Sequence, residues 1–259
     1  MLIRWKSLRG LAAVLGLTAL VAACDDDPLV QPPDNGTAEI RVIHGSPDAP
    51  SVDIYVEGSA TPVFEDLAYG DASAYATVDA GTYNVQIRAA GADPASAPVF
   101  ETGNITLQTG DDLTALAAGI FASNDPADQF RVLALFENFV APSGGNAVVR
   151  VVHASPDAPT VDIDVLNEGS SEIVDLARFE DTGSMCIELP AGSPLLVGIL
   201  ANDALVTTFT TPPLTEGTEY YLIADGLVGQ ADPTAADAFK LLAVDENGSS
   251  SFIEQNGPD

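Results

Sequence analysis

Basic residues are scarce in this chain. Nine lysines and arginines stand against 38 acidic residues in 259, for a formal net charge of −29. A surface of that sign repels phosphates, which excludes nucleic acid and anionic lipid head groups as natural partners. Cysteine is nearly absent as well: Cys24 and Cys186 are the only two. There are two histidines, His44 and His153, and no Cys-x-x-Cys pair, too few ligands for a zinc site. No Gly-x-Ser-x-Gly elbow, Gly-rich phosphate loop or basic-aromatic stripe occurs. No apolar pattern of period 3.6 is sustained, which argues against a helical domain.

What the chain does contain is one stretch written twice. Residues 41–56 read RVIHGSPDAPSVDIYV and residues 150–165 read RVVHASPDAPTVDIDV, with 12 of 16 positions identical at an offset of 109. A period this long means two copies of a whole domain rather than a solenoid. Val42 and His44 share one strand face, and Arg41 and Ile43 the other. Ser46-Pro47-Asp48-Ala49-Pro50 follows as a rigid turn in which the prolines fix φ and the aspartate is expected to bond its own backbone. Val52, Ile54 and Val56 then alternate with Asp53 and Tyr55 as a second strand. The same reading covers Arg150, His153, Ser155, Pro156, Asp157, Pro159 and Asp162. If the two strands are antiparallel around the turn, Arg41 lies opposite Asp53 and Arg150 opposite Asp162, each as an exposed ion pair.

The pattern Arg-Val-Ile/Val-His-x-Ser-Pro-Asp-Ala-Pro-x-Val-Asp-Ile resembles the bacterial family called domain of unknown function 4397. Leu67-Ala68-Tyr69-Gly70 and Ala80-Gly81-Thr82-Tyr83-Asn84-Val85 add to the likeness, which extends over nearly all of residues 38–247. The resemblance implies two small β-sandwich modules on an exported bacterial protein, and no known activity. The second copy departs from it at Arg178-Phe179 and at Ser193-Pro194-Leu195; a surface site shared by the family would be lost there.

Arg4, Lys6 and Arg9 precede an apolar run from Leu11 to Val21. Eleven residues are too few to cross a bilayer, so residues 1–23 read as a signal peptide. The run ends Val21-Ala22-Ala23-Cys24, which resembles a bacterial lipobox and implies cleavage before Cys24 and its lipidation. Removing the leader leaves six basic residues against 38 acidic ones, a net charge of −32, with Lys240 the only lysine. Residues 24–37, with Asp25-Asp26-Asp27 and several prolines, read as a tether holding the folded part off the membrane.

The remaining chain predicts an all-β protein: two tandem immunoglobulin-like or transthyretin-like β-sandwich modules, at 38–140 and 147–247. Short alternating runs recur near every ten residues in both. Residues 141–146 are a linker and 248–259 a flexible tail. FRVLALFEN and FKLLAVDEN close the two modules at the same offset of 109. Ser184 to Leu189 alternates as a strand that would bury Cys186 as an inert thiol. Leu195 to Leu200 is apolar on both faces, so a loop, the first module or a partner is expected to cover it.

Chemistry is sparse. His44, Ser46 and Asp48 invite comparison with a catalytic triad, but the serine sits in a tight turn with no oxyanion pocket, and the histidines read as strand-end residues bonded to the turn. The loops carrying Asp125 and Asp128, and Asp232 and Asp237, recur before the last strand of each module and are candidate calcium sites, without an EF-hand pattern. The function expected is a noncatalytic envelope lipoprotein, anchored through lipid at the outer membrane or cell surface, binding an unknown protein or cell-surface polymer. The alternative is an enzyme accessory or hydrolase with a site between the modules.

The charge has a direct consequence. Self-repulsion is greatest in the compact state, and the Debye length falls from about 10 Å at 0.1 M to about 3 Å at 1 M salt. A soluble form starting after Cys24 should melt at higher temperature as sodium or potassium chloride is raised, with the two salts equivalent. A gain reproduced by micromolar calcium and reversed by a chelator would move the cause to the Asp125/Asp128 and Asp232/Asp237 loops.

Overall fold

The computed structural model describes residues 36–165, 170–183, 186–232 and 234–256. The leader, Cys24 and most of the tether lie outside them. All regular structure described is strand, in four sheets. In the first repeat, β1 (Thr37–Gly45), β4 (Ala76–Asp79), β7 (Asp112–Ala118) and β8 (Arg131–Phe136) form one sheet in the order β4-β1-β7-β8. Its companion holds β2 (Val52–Val56), β3 (Phe64–Leu67), β5 (Gly81–Ala89) and β6 (Phe100–Leu107) in the order β3-β2-β5-β6.

The second repeat copies this topology. β9 (Asn146–His153), β12 (Ile187–Pro190), β15 (Glu219–Asp225) and β16 (Lys240–Asp245) give the order β12-β9-β15-β16, extended by β17 (Ser250–Ile253). β10 (Val161–Val165), β11 (Ile173–Leu176), β13 (Leu196–Ala201) and β14 (Ala204–Thr210) give β11-β10-β13-β14. In both repeats the first strand runs parallel to the seventh, β1 with β7 and β9 with β15.

The repeated motif is therefore not a hairpin. β1 and β2 belong to different sheets, and the Ser-Pro-Asp-Ala-Pro turn carries the chain across the sandwich from one to the other. That overturns the expected pairing of Arg41 with Asp53 and Arg150 with Asp162. The Asp53 carboxylate instead accepts the N–H groups of Asp66 (2.8 Å) and Gly91 (2.9 Å), and Asp162 that of Asp175 (2.7 Å). The tail expectation also fails: Ser250–Ile253 is a strand paired with β16, and Ile253 is buried, because an aliphatic residue at this position extends the core. Cys186 precedes β12 and is half-buried; burial pushes its thiol pKa up. On β13, Val197 and Ile199 enter the sandwich interior while Leu196 stays partly exposed, and the core they join contains no first-repeat residue.

The two inner sheets face each other. Ile43, Leu116, Ala118 and Leu135 of the first repeat pack with Val152, Tyr221, Ile223, Leu242 and Val244 of the second in one buried cluster. The molecule is thus four layers deep, and the inner sheets are covered on both faces. β1 and β9 lack a wet face for this reason: the side that carries Arg41 and Ile43 is the seam.

Across the seam the repeats obey a pseudo-two-fold relation. Arg41 Nη1 donates to the Asp245 carbonyl at 2.7 Å, and Arg150 Nη1 donates to the Phe136 carbonyl at 2.7 Å. Arg41 and Arg150 are equivalent, as are Phe136 and Asp245, so each repeat offers the other the same pair of groups, as the partners in a two-fold dimer do. Around Arg41 the seam is fully furnished. Nε donates to Thr114 Oγ1 at 2.7 Å, Glu137 pairs at 3.3 Å, and Tyr75 and Tyr221 donate to the Glu137 carboxylate and flank the guanidinium with their rings. Arg150 pairs with Asp181 at 2.8 Å.

One seam group breaks the relation. Asp225, fully buried, stands where the first repeat has Ala118. Its Oδ1 accepts the Gly226 N–H at 2.7 Å, and the hydroxyl of Tyr69 lies beside the same carboxylate. Burial, against the smaller opposing pull of Gly226, Tyr69 and Lys240, pushes its pKa from 3.8 to about 7. The unfolded chain then sheds this proton first, so stability falls as pH rises from 3.8 to about 7 and levels off above. His44 and His153 act with the opposite sign: burial lowers both, and they withdraw stability as pH falls below 6.5. Asp225→Asn should melt higher than the natural chain at pH 8, with the difference shrinking to nearly nothing at pH 4. A pH-independent difference between the two melting curves would refute the assignment.

Candidate functional site

The motif residues form a latch that joins turn, strand end and a distant loop. His44 Nε2 lies 3.1 Å from the Pro50 carbonyl, and Nδ1 accepts the Ser46 N–H at 3.3 Å. This network assigns a neutral ring protonated on Nε2, as burial favours. His153 repeats the Nε2 contact, 2.9 Å from the Pro159 carbonyl. Ser46 Oγ donates to the Gly119 carbonyl at 2.6 Å, and Ser155 Oγ to that of Gly226 at 2.7 Å. Both glycines have positive φ, +85° and +78°, and a Cβ there would stand 2.4 Å from the Gln129 carbonyl oxygen or 2.3 Å from that of Ala238. Only glycine fits.

Asp48 does not bond its own turn. Its carboxylate accepts the N–H groups of Phe121 (2.6 Å) and Ala122 (2.9 Å), and Asp157 accepts those of Val228 and Gly229, both at 2.8 Å. The Ser46 hydroxyl, the Asp48 carboxylate and His44 Nε2 thus face three different partners, and the Ser46 hydroxyl makes no contact with the imidazole. The prolines hold the turn in the conformation that aims the aspartate at the next loop.

The structure does not gather the calcium candidates. Asp125 accepts the Ala127 N–H, Asp128 the Ser123 hydroxyl, Asp232 the Thr234 N–H and Asp237 the Gln230 amide. Among the described residues no group of three or more acidic, histidine or cysteine side chains converges. The alternative site between the modules meets a filled seam: the space between the inner sheets is taken by the buried cluster and the arginine network.

The first repeat has an opening that sequence reasoning missed. Between its two sheets lies an apolar slot of about 50 Å³, lined by Val42, Ile54, Phe64, Val85, Ile87 and Ala115 among others. It divides the interior into two apolar clusters, one around Val52, Ile54 and Ile87, the other around Leu107 and Leu113. The second repeat has a single continuous cluster in their place, with openings at its margins of about 250 Å³ beside Ile253 and about 100 Å³ beside Phe239. Strand registers give the reason. Val85 and Val197 are equivalent, facing Val56 and Val165; beside Val85 lies Thr102, whereas Val197 faces Phe209. Val42 faces Ala115, whereas Val151 faces Leu222. Phe209 and Leu222 are buried core residues. Threonine and alanine in their stead leave the slot.

Residues 38–164 match the family described as domain of unknown function 4397. The match takes in the first repeat and ends inside β10 of the second. No curated protein sequence matches the chain. Among solved structures, the chain is similar to a streptococcal virulence factor that binds alpha-glucan, at 13% identity and a TM-score of 0.24, over 72% of this chain and 93% of that one. It is also similar to a proposed cell adhesion protein from Bacteroides ovatus, at 10% identity and a TM-score of 0.21, over 87% and 99%. Likenesses at these scores bear on neither fold details nor function.

The latch is testable through its exposed aspartate. Asp48→Ala should cost about 1 kcal/mol, two charge-assisted hydrogen bonds discounted for solvent. It should also speed hydrogen exchange at the Phe121 and Ala122 amides. Unchanged exchange at these two amides would show that the carboxylate does not hold the loop.

Proposed function

We propose that this protein is a noncatalytic binding module of the cell envelope, exported and anchored through lipid on Cys24, whose recognition half is the first repeat. The second repeat, with the same strand order, is a diverged second copy of the module that serves as its base. The partner is a protein or surface polymer that presents an apolar group to the first repeat.

The observation that supports this reading is the inequality of the two interiors. The same strand order encloses one continuous core in the second repeat and, in the first, two apolar clusters parted by a slot with an almost wholly apolar lining. Leaving it empty costs about 1 kcal/mol at roughly 24 cal/mol per Å³, and an apolar guest recovers that cost because such cavities hold no bound water. The lipobox likeness at Val21–Cys24 and the proline-rich tether support display away from a membrane.

Xenon, small enough for the slot, serves as its probe. Under pressure it should raise the melting temperature of the natural chain in a saturable way, as a ligand of the folded state does. Ala115→Leu, the residue the second repeat uses, should stabilise the protein by about 1 kcal/mol and abolish the xenon response. A xenon response that survives Ala115→Leu overturns the assignment of the slot as the site.

A further inference from the structure

The two inner sheets differ in strand number, and the missing strand lies beside the slot. In the second repeat the chain turns back after β16 through Asp245-Glu246-Asn247-Gly248, with the Asp245 N–H donating to the Ser249 carbonyl at 3.0 Å, and lays down β17. In the first repeat β8 ends at Phe136, the chain continues as Glu137-Asn138-Phe139, and Phe139 docks edge-to-face on Tyr221 in the seam, 5.5 Å between ring centres. The chain then runs through the linker to β9. One segment cannot both cross to the second repeat and return along β8, so β8 is an edge.

That edge is polar in backbone and apolar in side chain. The Glu137 N–H donates to the Asp112 carbonyl, so alternation turns the N–H and C=O groups of Val132, Ala134 and Phe136 outward. Arg150 takes the Phe136 carbonyl, and Ala134 and Phe136 are exposed. The sequence RVLALF offers neither proline nor an inward-pointing charge to blunt strand addition.

The second repeat shows what such a strand requires. Ile253, opposite Leu241, fills the sandwich interior; the equivalent of Leu241 is Val132, which lines the slot. Glu254 pairs with Lys240 at 3.6 Å, and Phe252 stacks on the same lysine at 4.6 Å. Arg131 replaces Lys240, with Arg178 close enough to lower its pKa further, after burial. Two guanidiniums thus stand at the end of β8, with the Asp128 carboxylate near Arg131, which also donates to the Gln129 and Pro126 carbonyls. The ring position of Phe252 is already taken in the first repeat by Phe179, which stacks on Arg131 at 3.8 Å. Phe179 holds a positive φ of 62° where the first repeat has Gly70, whose added Cβ would strike the Phe252 ring at 2.4 Å.

We propose that the outer edge of β8 takes one added antiparallel strand from a partner protein: an extended segment with an aliphatic residue opposite Val132, a small residue opposite Leu133 and an acidic residue opposite Arg131. Backbone hydrogen bonds supply affinity, and alternate side chains supply selection. The aliphatic residue enters beside the slot as Ile253 does in the second repeat. The inference rests on the first repeat being the binding half and narrows its ligand to a peptide strand.

The probe is a fluorescein-labelled peptide of residues 248–255 carrying Phe252→Ser, added to the complete folded protein and followed by anisotropy. Saturable binding is expected, weakened at least about tenfold by N-methylation of the two amides that face the sheet, at positions 251 and 253. N-methylation at 250 and 252 should leave binding unchanged. Glu254→Lys in the peptide should weaken binding, as should Arg131→Glu in the protein. Ala134→Pro removes one outward N–H at a position where an edge strand tolerates proline, and should abolish binding with little change in melting temperature. Absence of saturable binding, equal loss from both N-methylation patterns, or self-association of the protein that Ala134→Pro removes would each overturn the proposal. A xenon response without peptide binding would sink the strand-addition reading alone and leave the slot standing.

Discussion

Everything in this molecule hangs on the reciprocal contact of two buried arginines with two backbone carbonyls. Arg41 reaches the last residue of β16, and Arg150 the last residue of β8. Each guanidinium must be satisfied wherever it is buried, since an unpaired buried charge is costly. The pseudo-two-fold relation solves this for both at once, because the equivalent carbonyl is available on the other repeat. Glu137, Thr114, Tyr75 and Tyr221 complete the donors and acceptors around Arg41, and the aliphatic seam closes over them. The motif arginine of each repeat thus ties it to the other repeat.

Once the inner sheets are joined, the outer sheets and their loops are what remains to differ. The second repeat has bulky residues, the added strand β17 and a continuous core. The first repeat has Thr102 and Ala115, sends its last segment into the linker and has a slot beside an unpaired edge. Phe179 shows the exchange at one position, a strained non-glycine backbone whose ring fills the place that a fifth strand's aromatic would occupy.

The fold class was legible in the sequence for simple reasons. Period-two alternation, turn residues near every ten positions and the 109-residue repeat each reflect local geometry or duplication, and both survive in one dimension. Asp48 was visible as important but misassigned, because its partners Phe121 and Ala122 lie more than seventy residues away. Arg41 was misassigned for a related reason. A strand face with no wet side reads as an exposed ion-pair surface until a second module is placed over it.

The slot was hidden more thoroughly. At the constant offset of 109, Thr102 aligns with Thr211 and Ala115 with Ala224, identical residues that conceal any difference. The strand registers align them instead with Phe209 and Leu222, because loops of unequal length shift the frame between the motif and the closing strand. By itself, the sequence determined the strands, their duplication, the acidic surface and the expectation of a lipidated leader, all properties carried by neighbouring residues or by composition. Only the tertiary structure decided which residues of the two copies occupy the same place, which face of β1 is buried, and which sheet edge is left unpaired. Those depend on contacts between residues far apart in the chain, where packing volume and hydrogen-bond partners are settled.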